Sequence, residues 1–321
     1  MLRAECVDPC LYVEEAAAIL RAAWQPPSLH YTADYLDWQF RFPAPLRSCG
    51  ALAYEGSTPV GFIGATPRTL RLAENEQAAY VVSFVAVRPD WRGRGIASLL
   101  YRTLLTSDLL TTAPVVTFAE SDSAGERALQ RSYPDAGYSL SSLGEYPLHG
   151  YLPRLQSPET SLQVIEAPDV EAFHAAARLG TAPQTLWNAP TPDILQHYLR
   201  DPRPRRLLLC LADGEPTGCA MLLHADLQTA HGHDAAIMLE NLVLIGDQAE
   251  ALKALCAYSS QYGKASGSNG SVMLPNPCGI SAQGLKAAGL RQLPSRFRGY
   301  LCCTDPQNAL LQAAETNIEI I

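Results

Sequence analysis

Apolar residues recur along the chain with two periods, and the switches between them lay out most of its elements. Val13, Ala16, Ala17, Leu20 and Ala23 share one face at helical spacing, which predicts a helix over 12–24. The Pro26-Pro27 pair breaks it, and 31–42 reads as a second, aromatic-rich helix stopped by Pro43 and Pro45. Residues 50–54 and 60–69 read as strands around the turn Glu55-Gly56-Ser57-Thr58-Pro59. The run 80–87 is apolar without full alternation, the pattern of a central strand buried on both faces. A helix over 96–105, a strand over 114–119, a helix over 125–133 and a last pair of strands over 138–152 complete the first half.

Residues 156–161, Gln-Ser-Pro-Glu-Thr-Ser, read as a linker, and after them the order recurs. Helices are expected over 170–179 and 193–199. Strands follow over 206–212 and 218–225, around Asp213-Gly214-Glu215-Pro216, and over 235–244. A helix over 248–262, a strand over 271–274, a helix over 281–288 and a strand over 296–304 close the series. The repeat is one of element order, with two parallel turns, Tyr54 to Val60 and Ala212 to Gly218, to support it. The tail 306–321 reads as a short helix, with Leu310, Leu311 and Ala314 on one side.

The stretch that carries chemistry is Val85-Ala86-Val87-Arg88-Pro89-Asp90-Trp91-Arg92-Gly93-Arg94-Gly95-Ile96-Ala97-Ser98. A strand ends, a tight turn follows, and glycines open a helix. Glycines at 93 and 95 let the main chain come close to a ligand, and the first N–H groups of the helix lack internal partners. With the helix dipole they make an anion site, for which a pyrophosphate is the natural occupant, and Arg92 and Arg94 could add ionic contacts. The loop is neither a Walker A motif, since no Gly-Lys-Ser/Thr follows, nor a complete dinucleotide fingerprint.

It does resemble the Gcn5-related N-acetyltransferase (GNAT) family, in which a strand ending in Val-Ala-Val is followed by Arg/Gln-x-x-Gly-x-Gly/Ala. The matching residues here are Arg92-Gly93-Arg94-Gly95-Ile96-Ala97. Tyr133-Pro134-Asp135-Ala136-Gly137-Tyr138 matches a second family feature, a Tyr four residues before a Gly-aromatic pair. The resemblance implies an α/β fold (a mixed α+β sheet flanked by helices) in two tandem GNAT-like domains. It places a catalytic domain that binds acetyl-CoA at 1–155 and a degenerate copy at 156–321. It implies a direct transfer of an acyl group, most simply acetyl, from acetyl-CoA or another acyl-CoA to an amine of a small molecule, amino acid or peptide.

In that scheme main-chain groups of Val85, Ala86 and Val87 hold the pantetheine arm like an added strand, and Arg92 to Ser98 hold the phosphates. Tyr133 protonates the leaving thiolate, a role that suits a phenol protonated at neutral pH. Two departures stand out. The family often has Asn seven residues before this Tyr, where this chain has Glu126, and Tyr80 to Phe84 contains none of the carboxylates that many relatives carry there. Glu120, just past the fifth strand, is the remaining candidate for the base, or a bound water serves. The family builds its acceptor pocket from the first two helices and last strands, which here include Trp24, Tyr31, Tyr35 and Trp38. In the second half, Ile245-Gly246-Asp247-Gln248-Ala249-Glu250 has one glycine, no arginine and two carboxylates where phosphates would lie, so coenzyme binding is expected in the first half alone. A catalytically silent module that binds acyl-CoA as a sensor or scaffold is the alternative reading.

Composition narrows the partners. The 321 residues carry 47% hydrophobic and 17% charged residues, enough apolar surface for two cores. A net charge of −8, with lysine only at 253, 264 and 286, lacks the basic footprint of a nucleic-acid binder. The nine cysteines, with no C-x-x-C pair, read as reduced thiols of a cytoplasmic protein. The start of the chain is too acidic for a signal peptide, and no apolar run reaches a membrane span. His231-Gly232-His233-Asp234 reads as a hairpin turn rather than a metal site, so no metal is expected. The sequence leaves the acceptor and the oligomeric state open.

Overall fold

The computed structural model of the chain describes residues 1–26, 28–73, 75–151, 160–181, 185–188, 190–246, 248–275, 280–305, 307, 308, 310 and 315–317. In chain order the elements are β1 (Leu2–Val7), α1 (Val13–Ala23), α2 (Ala33–Phe40), β2 (Cys49–Glu55), β3 (Thr58–Leu72), β4 (Asn75–Val87), α3 (Ile96–Leu105), β5 (Val115–Glu120), α4 (Ala124–Asp135) and β6 (Ser139–Tyr151). There follow β7 (Gln163–Glu166), α5 (Val170–Gly180), β8 (Thr185–Asn188), α6 (Pro192–Tyr198), β9 (Arg205–Ala212), β10 (Glu215–Thr229), β11 (Gly232–Leu244) and α7 (Gln248–Ala265). The last are β12 (Val272–Leu274), α8 (Ala282–Ala287), β13 (Leu290–Cys303) and β14 (Glu315–Asn317). Among the described residues no helix is long and apolar enough to cross a membrane.

Two compact units result, each a mixed sheet with helices. The first joins Met1–Glu145 to the segment that begins at Phe297, and the second contains Tyr146–Arg296. The first sheet runs β1-β2-β3-β4-β5 and ends on the second half of β13, where Phe297 pairs with Glu120 and Cys302 with Val115. The second runs β7-β9-β10-β11-β12 and ends on the second half of β6, where Tyr151 pairs with Val272 and His149 with Leu274. The strand after α4 therefore serves the second unit, and the strand after α8 returns to the first. The single cut after residue 155 that the linker suggested differs from this division. Residues 156–159 of that linker and most of the tail lie outside the described residues. Within the tail, 315–317 form a strand on β8.

Side-chain chemistry accounts for the elements that frame the site. In α1 the face toward the sheet is Ala16, Ala17, Ile19, Leu20 and Ala23, mostly small residues that let the helix lie close. Ser123 caps α4 by accepting from the Glu126 N–H at 3.0 Å. Two expectations needed correction. Residues 138–152 were expected as two strands, but Gly144 and Pro147 do not break the run, and 139–151 is one strand because its far half finds a pairing partner in β12. β1 went unpredicted because it is an outer strand with an alternately exposed pattern around Arg3 and Glu5.

The repeat proves to be one of residues. Strand register superposes the units at a constant shift of 157 positions (53 to 210, 61 to 218, 80 to 237). Both carry a two-residue hairpin, closed by Glu55 and Thr58 in one and by Ala212 and Glu215 in the other, with a register shift just after Pro59 and Pro216. Both place a glycine, Gly61 or Gly218, where a Cβ would stand 2.9 Å from Ile96 Cγ2 or 3.0 Å from Leu244 Cδ2. Both break the register of the strand before the loop by one extra residue, with a left-handed residue at the break: Phe84 (φ 59°) in β4 and Asn241 (φ 46°) in β11.

The second unit buries an ion network near its bulge. Asp201 accepts from Arg203 at 2.9 Å and from Arg205 at 2.6 Å, and Arg205 also donates to Glu240. Burial opposes the Asp201 charge, but the two guanidiniums hold its carboxyl below the usual carboxylate range. A depressed carboxyl stabilises the fold above its unfolded value and loses that contribution as pH falls through the folded value. Asp201→Ala, which removes the carboxylate that Arg203 and Arg205 share and leaves Arg205 its bond to Glu240, is expected to cost about 3–5 kcal/mol in urea unfolding. A loss under about 1 kcal/mol would show that water reaches the arginines.

Candidate coenzyme and acyl-transfer site

The site forms where β4 and β5 separate. Their parallel pairing is confined to Tyr80–Val82 against Val115–Thr117 among the described residues. Beyond Val82, among the described residues, β4 stays paired with β3 and β5 with β13. The bulge at Phe84 changes the phase of β4 at this point. The Arg88 N–H donates to Val60 O at 2.9 Å, so by strand alternation the main-chain groups of Val85 and Val87 face away from β3, into the gap, and those of Ala86 face β3. A linear amide laid in the gap would meet them as a further strand.

At the end of β4 the chain makes one 3-10 turn over Pro89–Trp91 and enters α3 through Gly93 and Gly95, both at φ 76°. Gly95 caps α3 without a side chain, and the first intrahelical bond is Leu99 N–H to Gly95 O at 3.0 Å. The N–H groups of Ile96, Ala97 and Ser98 are therefore left for an external acceptor. A Cβ at Gly93 or Gly95 would meet nothing within 4 Å, so both glycines face open space.

The two loop arginines differ. Arg92 is committed to carbonyls: it donates to Ala23 O at the end of α1 and to Val87 O at 3.4 Å, tying the loop to the sheet. Arg94 is exposed and stacks over Trp91 at 4.5 Å.

Tyr133 lies in the core between α3, α4 and the sheet. Its side chain is fully buried, its ring packs on Tyr101 and Tyr138 at 5.8 and 5.7 Å, and its hydroxyl meets the Thr117 hydroxyl only off hydrogen-bonding geometry. Thr117, Tyr133 and Tyr138 thus each carry a buried oxygen with no hydrogen-bond partner among the described residues. Burial pushes the Tyr133 phenol well above its ordinary value. Glu120 is exposed at the end of β5. Glu126 is buried and bound: it accepts from Asp122 N–H at 2.6 Å, Arg298 at 2.8 Å and Tyr300 at 2.5 Å. Burial opposes its charge, but Tyr300 and the other donors hold its carboxyl below the usual range.

The aromatic residues of α1 and α2 are brought together on the other face of the sheet. Trp24 is half-buried and meets Tyr31 edge-on at 4.8 Å; Tyr31, Tyr35 and Trp38 are buried, with Tyr35 and Trp38 at 5.7 Å. Sequence reasoning missed Phe84, on which Tyr31 and Tyr35 pack, because nothing in a phenylalanine marks it for a left-handed conformation. In the second unit only Ile245, Gly246 and residue 247 separate β11 from α7, against the eight residues 88–95 of the first. Among the described residues no cluster of three or more His, Cys, Asp or Glu could hold a metal, and His231 lies in the β10–β11 hairpin turn.

Residues 13–129 match the Acetyltransferase (GNAT) family. A probable glycylpeptide N-tetradecanoyltransferase of Caenorhabditis elegans is 30% identical over 95 residues, which are 29% of this chain and 20% of that protein. Saccharomyces cerevisiae N-myristoyltransferase with bound myristoyl-CoA shares the fold at a TM-score of 0.65 and 12% identity, over 99% of this chain and 89% of that one. A tandem GNAT protein from the clavulanic acid biosynthesis pathway does so at 0.64 and 14%, over 96% of this chain and 100% of that one. The first half therefore holds a domain of the Acetyltransferase (GNAT) family, and the strand register of that domain recurs 157 residues on, in the fold shared with the tandem GNAT protein.

Proposed function

We propose that the protein is an acyl-CoA-dependent N-acyltransferase that transfers an acetyl group to an amine of a small molecule, amino acid or peptide. The observation that carries this reading is the open turn at Gly93–Ser98 placed at the mouth of the gap between β4 and β5. Free N–H groups and empty space suit a pyrophosphate, and the edge of β4 suits the amide-bearing arm behind it. The coenzyme supplies an activated thioester. Gly93, Arg94, Gly95 and the N–H groups of Ile96 to Ser98 hold its phosphates, with Arg92 as the strut that fixes the turn. Val85 and Val87 hold the arm, and Ala86 keeps the strand attached to β3. An N–H beside the bulge serves as oxyanion donor. The acceptor approaches past Trp24, with Tyr31, Tyr35 and Trp38 packed behind as its wall. Glu120, exposed at the end of β5, takes the amine proton directly or through water.

Residues 1–155 hold these groups, and the second half is a degenerate copy without a coenzyme loop. Calorimetry is therefore expected to find acetyl-CoA bound once per chain, and an amine panel is expected to release free thiol. Two equivalent sites would refute the assignment. The glycylpeptide N-tetradecanoyltransferase relative makes a peptide amine a natural member of that panel.

Tyr133 serves as the proton donor to the leaving thiolate. Its raised pKa keeps the proton in place, and its unpartnered hydroxyl is free for a new bond. Tyr133→Phe is expected to leave coenzyme affinity near normal and to lower kcat by about 10²–10⁴-fold. Unchanged kcat where chemistry limits the rate would remove Tyr133 from the mechanism. The full burial of Tyr133 also favours a second reading, a silent acyl-CoA-binding module. Binding without thiol release across the amine panel would select it.

A further inference from the structure

The gap between β4 and β5 opens on two faces of the first unit's sheet. On one face, Thr117 at the last paired position of β5 lies beside the buried Tyr133. The other holds Phe84 and the rings packed on it. The Phe84 ring meets Phe40 at 5.7 Å, Tyr31 at 5.9 Å and Tyr35 at 6.4 Å between centroids, and Phe40 meets Phe62 at 5.9 Å. All five rings are buried. Gly64, opposite Ser83 on β3, shows how full the volume is: a Cβ there would stand 2.9 Å from Phe40 Cε1 and 3.3 Å from Phe84 Cδ2.

The bulge alone does not require this cluster. Its counterpart in the second unit is Asn241, a residue that tolerates a left-handed backbone far better than phenylalanine. The first unit holds the more strained residue and surrounds its ring with three others. A strained side chain kept in place by its neighbours is the mark of a site where that side chain has a task.

We propose that Phe84 and the rings of Tyr35, Phe40 and Phe62 form the stop that sets acyl length, admitting short groups of about two to four carbons and refusing long chains. The inference rests on the coenzyme reading above. An arm lying along Val87 and Val85 reaches Phe84 next, and each further methylene of the acyl group must displace a ring from a close-packed layer. The yeast protein of the same fold is described with myristoyl-CoA bound; this chain is inferred to select against such a ligand.

The test is displacement calorimetry of the full chain with CoA and its acetyl, butyryl, octanoyl and myristoyl thioesters. Acetyl- and butyryl-CoA are expected to bind within about threefold of CoA, and octanoyl- and myristoyl-CoA at least about 30-fold more weakly. Phe40→Ala is expected to raise the octanoyl-to-acetyl affinity ratio about tenfold, and the milder Phe40→Leu to raise it less, in the same direction. Myristoyl-CoA binding as tightly as acetyl-CoA, and displaceable by CoA, overturns the stop, as does a ratio that neither variant moves. Failure of CoA itself to bind overturns the coenzyme site and the stop together, and is recognised because no chain length then binds.

Discussion

A chain cut after residue 155 is expected to fail to fold, although it keeps every residue of the coenzyme loop. The cut removes the second half of β13, whose residues Phe297 to Cys302 pair with β5 along its length. β5 then becomes an unprotected edge, and Tyr300 and Cys302 leave the core that Tyr101, Leu129 and Tyr133 build. Glu126 suffers most. Its carboxylate is 3% exposed and would lose Arg298 and Tyr300, two of its three named donors. A buried charge left this way costs several kcal/mol, and native stability is only about 5–15 kcal/mol in all. The fragment is therefore expected to show no cooperative unfolding and to bind no acetyl-CoA. A chain in which a Gly/Ser linker joins Glu145 directly to Phe297 restores the strand and should recover a cooperative transition. Cooperative unfolding and full affinity in the 1–155 fragment would show that the returning strand is dispensable.

This boundary shows where sequence reasoning stopped. The linker composition and the repeated element order invited a single cut, and they were sound as far as local signals go. Which sheet a strand joins is a tertiary choice, and Arg296 to Cys303 reads the same whether it pairs with β5 or stays in its own half. Signals written in local chemistry were legible. The helix at 96–105 appeared at its full length, because an apolar face follows two glycines and a tight turn. The hairpin at Glu55–Thr58 was marked by Gly56 and Pro59. The bulge was not legible in the first unit, since Phe84 gives no hint of a positive φ, whereas an asparagine at 241 is at least compatible with one. The residue-level repeat stayed hidden for a related reason: side chains diverged while register was kept, down to the Arg88 and Ile245 N–H groups that donate to Val60 and Thr217. For Tyr133 the spacing was readable and its depth was not. Four residues before a Gly-aromatic pair describes a helix end, and says nothing of the Tyr101 and Tyr138 rings that close over it.

Two substitutions at Gly95 are expected to separate the strain of the loop from its affinity for anions. The backbone there sits at φ 76°, so any side chain costs about 1–2 kcal/mol in stability. A Cβ meets no atom within 4 Å, so steric conflict adds nothing to that cost. Gly95→Ala should therefore lower the unfolding midpoint modestly and weaken acetyl-CoA binding only a few-fold. Gly95→Glu carries the same backbone cost and also sets a carboxylate beside the N–H groups of Ile96 to Ser98. That charge competes for the donors and repels the phosphates, and the affinity should fall by a further factor of about 100 or more. Raising the ionic strength should recover part of this extra loss and none of the strain, because salt screens exposed charges and leaves φ alone. Gly246 provides the control. It is also left-handed, at φ 71° with no atom within 4 Å of a Cβ, but it lies in the short loop of the second unit. Gly246→Glu should lower stability about as much as Gly95→Ala while acetyl-CoA affinity stays at the wild-type level. If Gly95→Glu binds acetyl-CoA as tightly as Gly95→Ala in folded protein, the phosphates do not sit at this turn, and the coenzyme site must be sought elsewhere on the sheet.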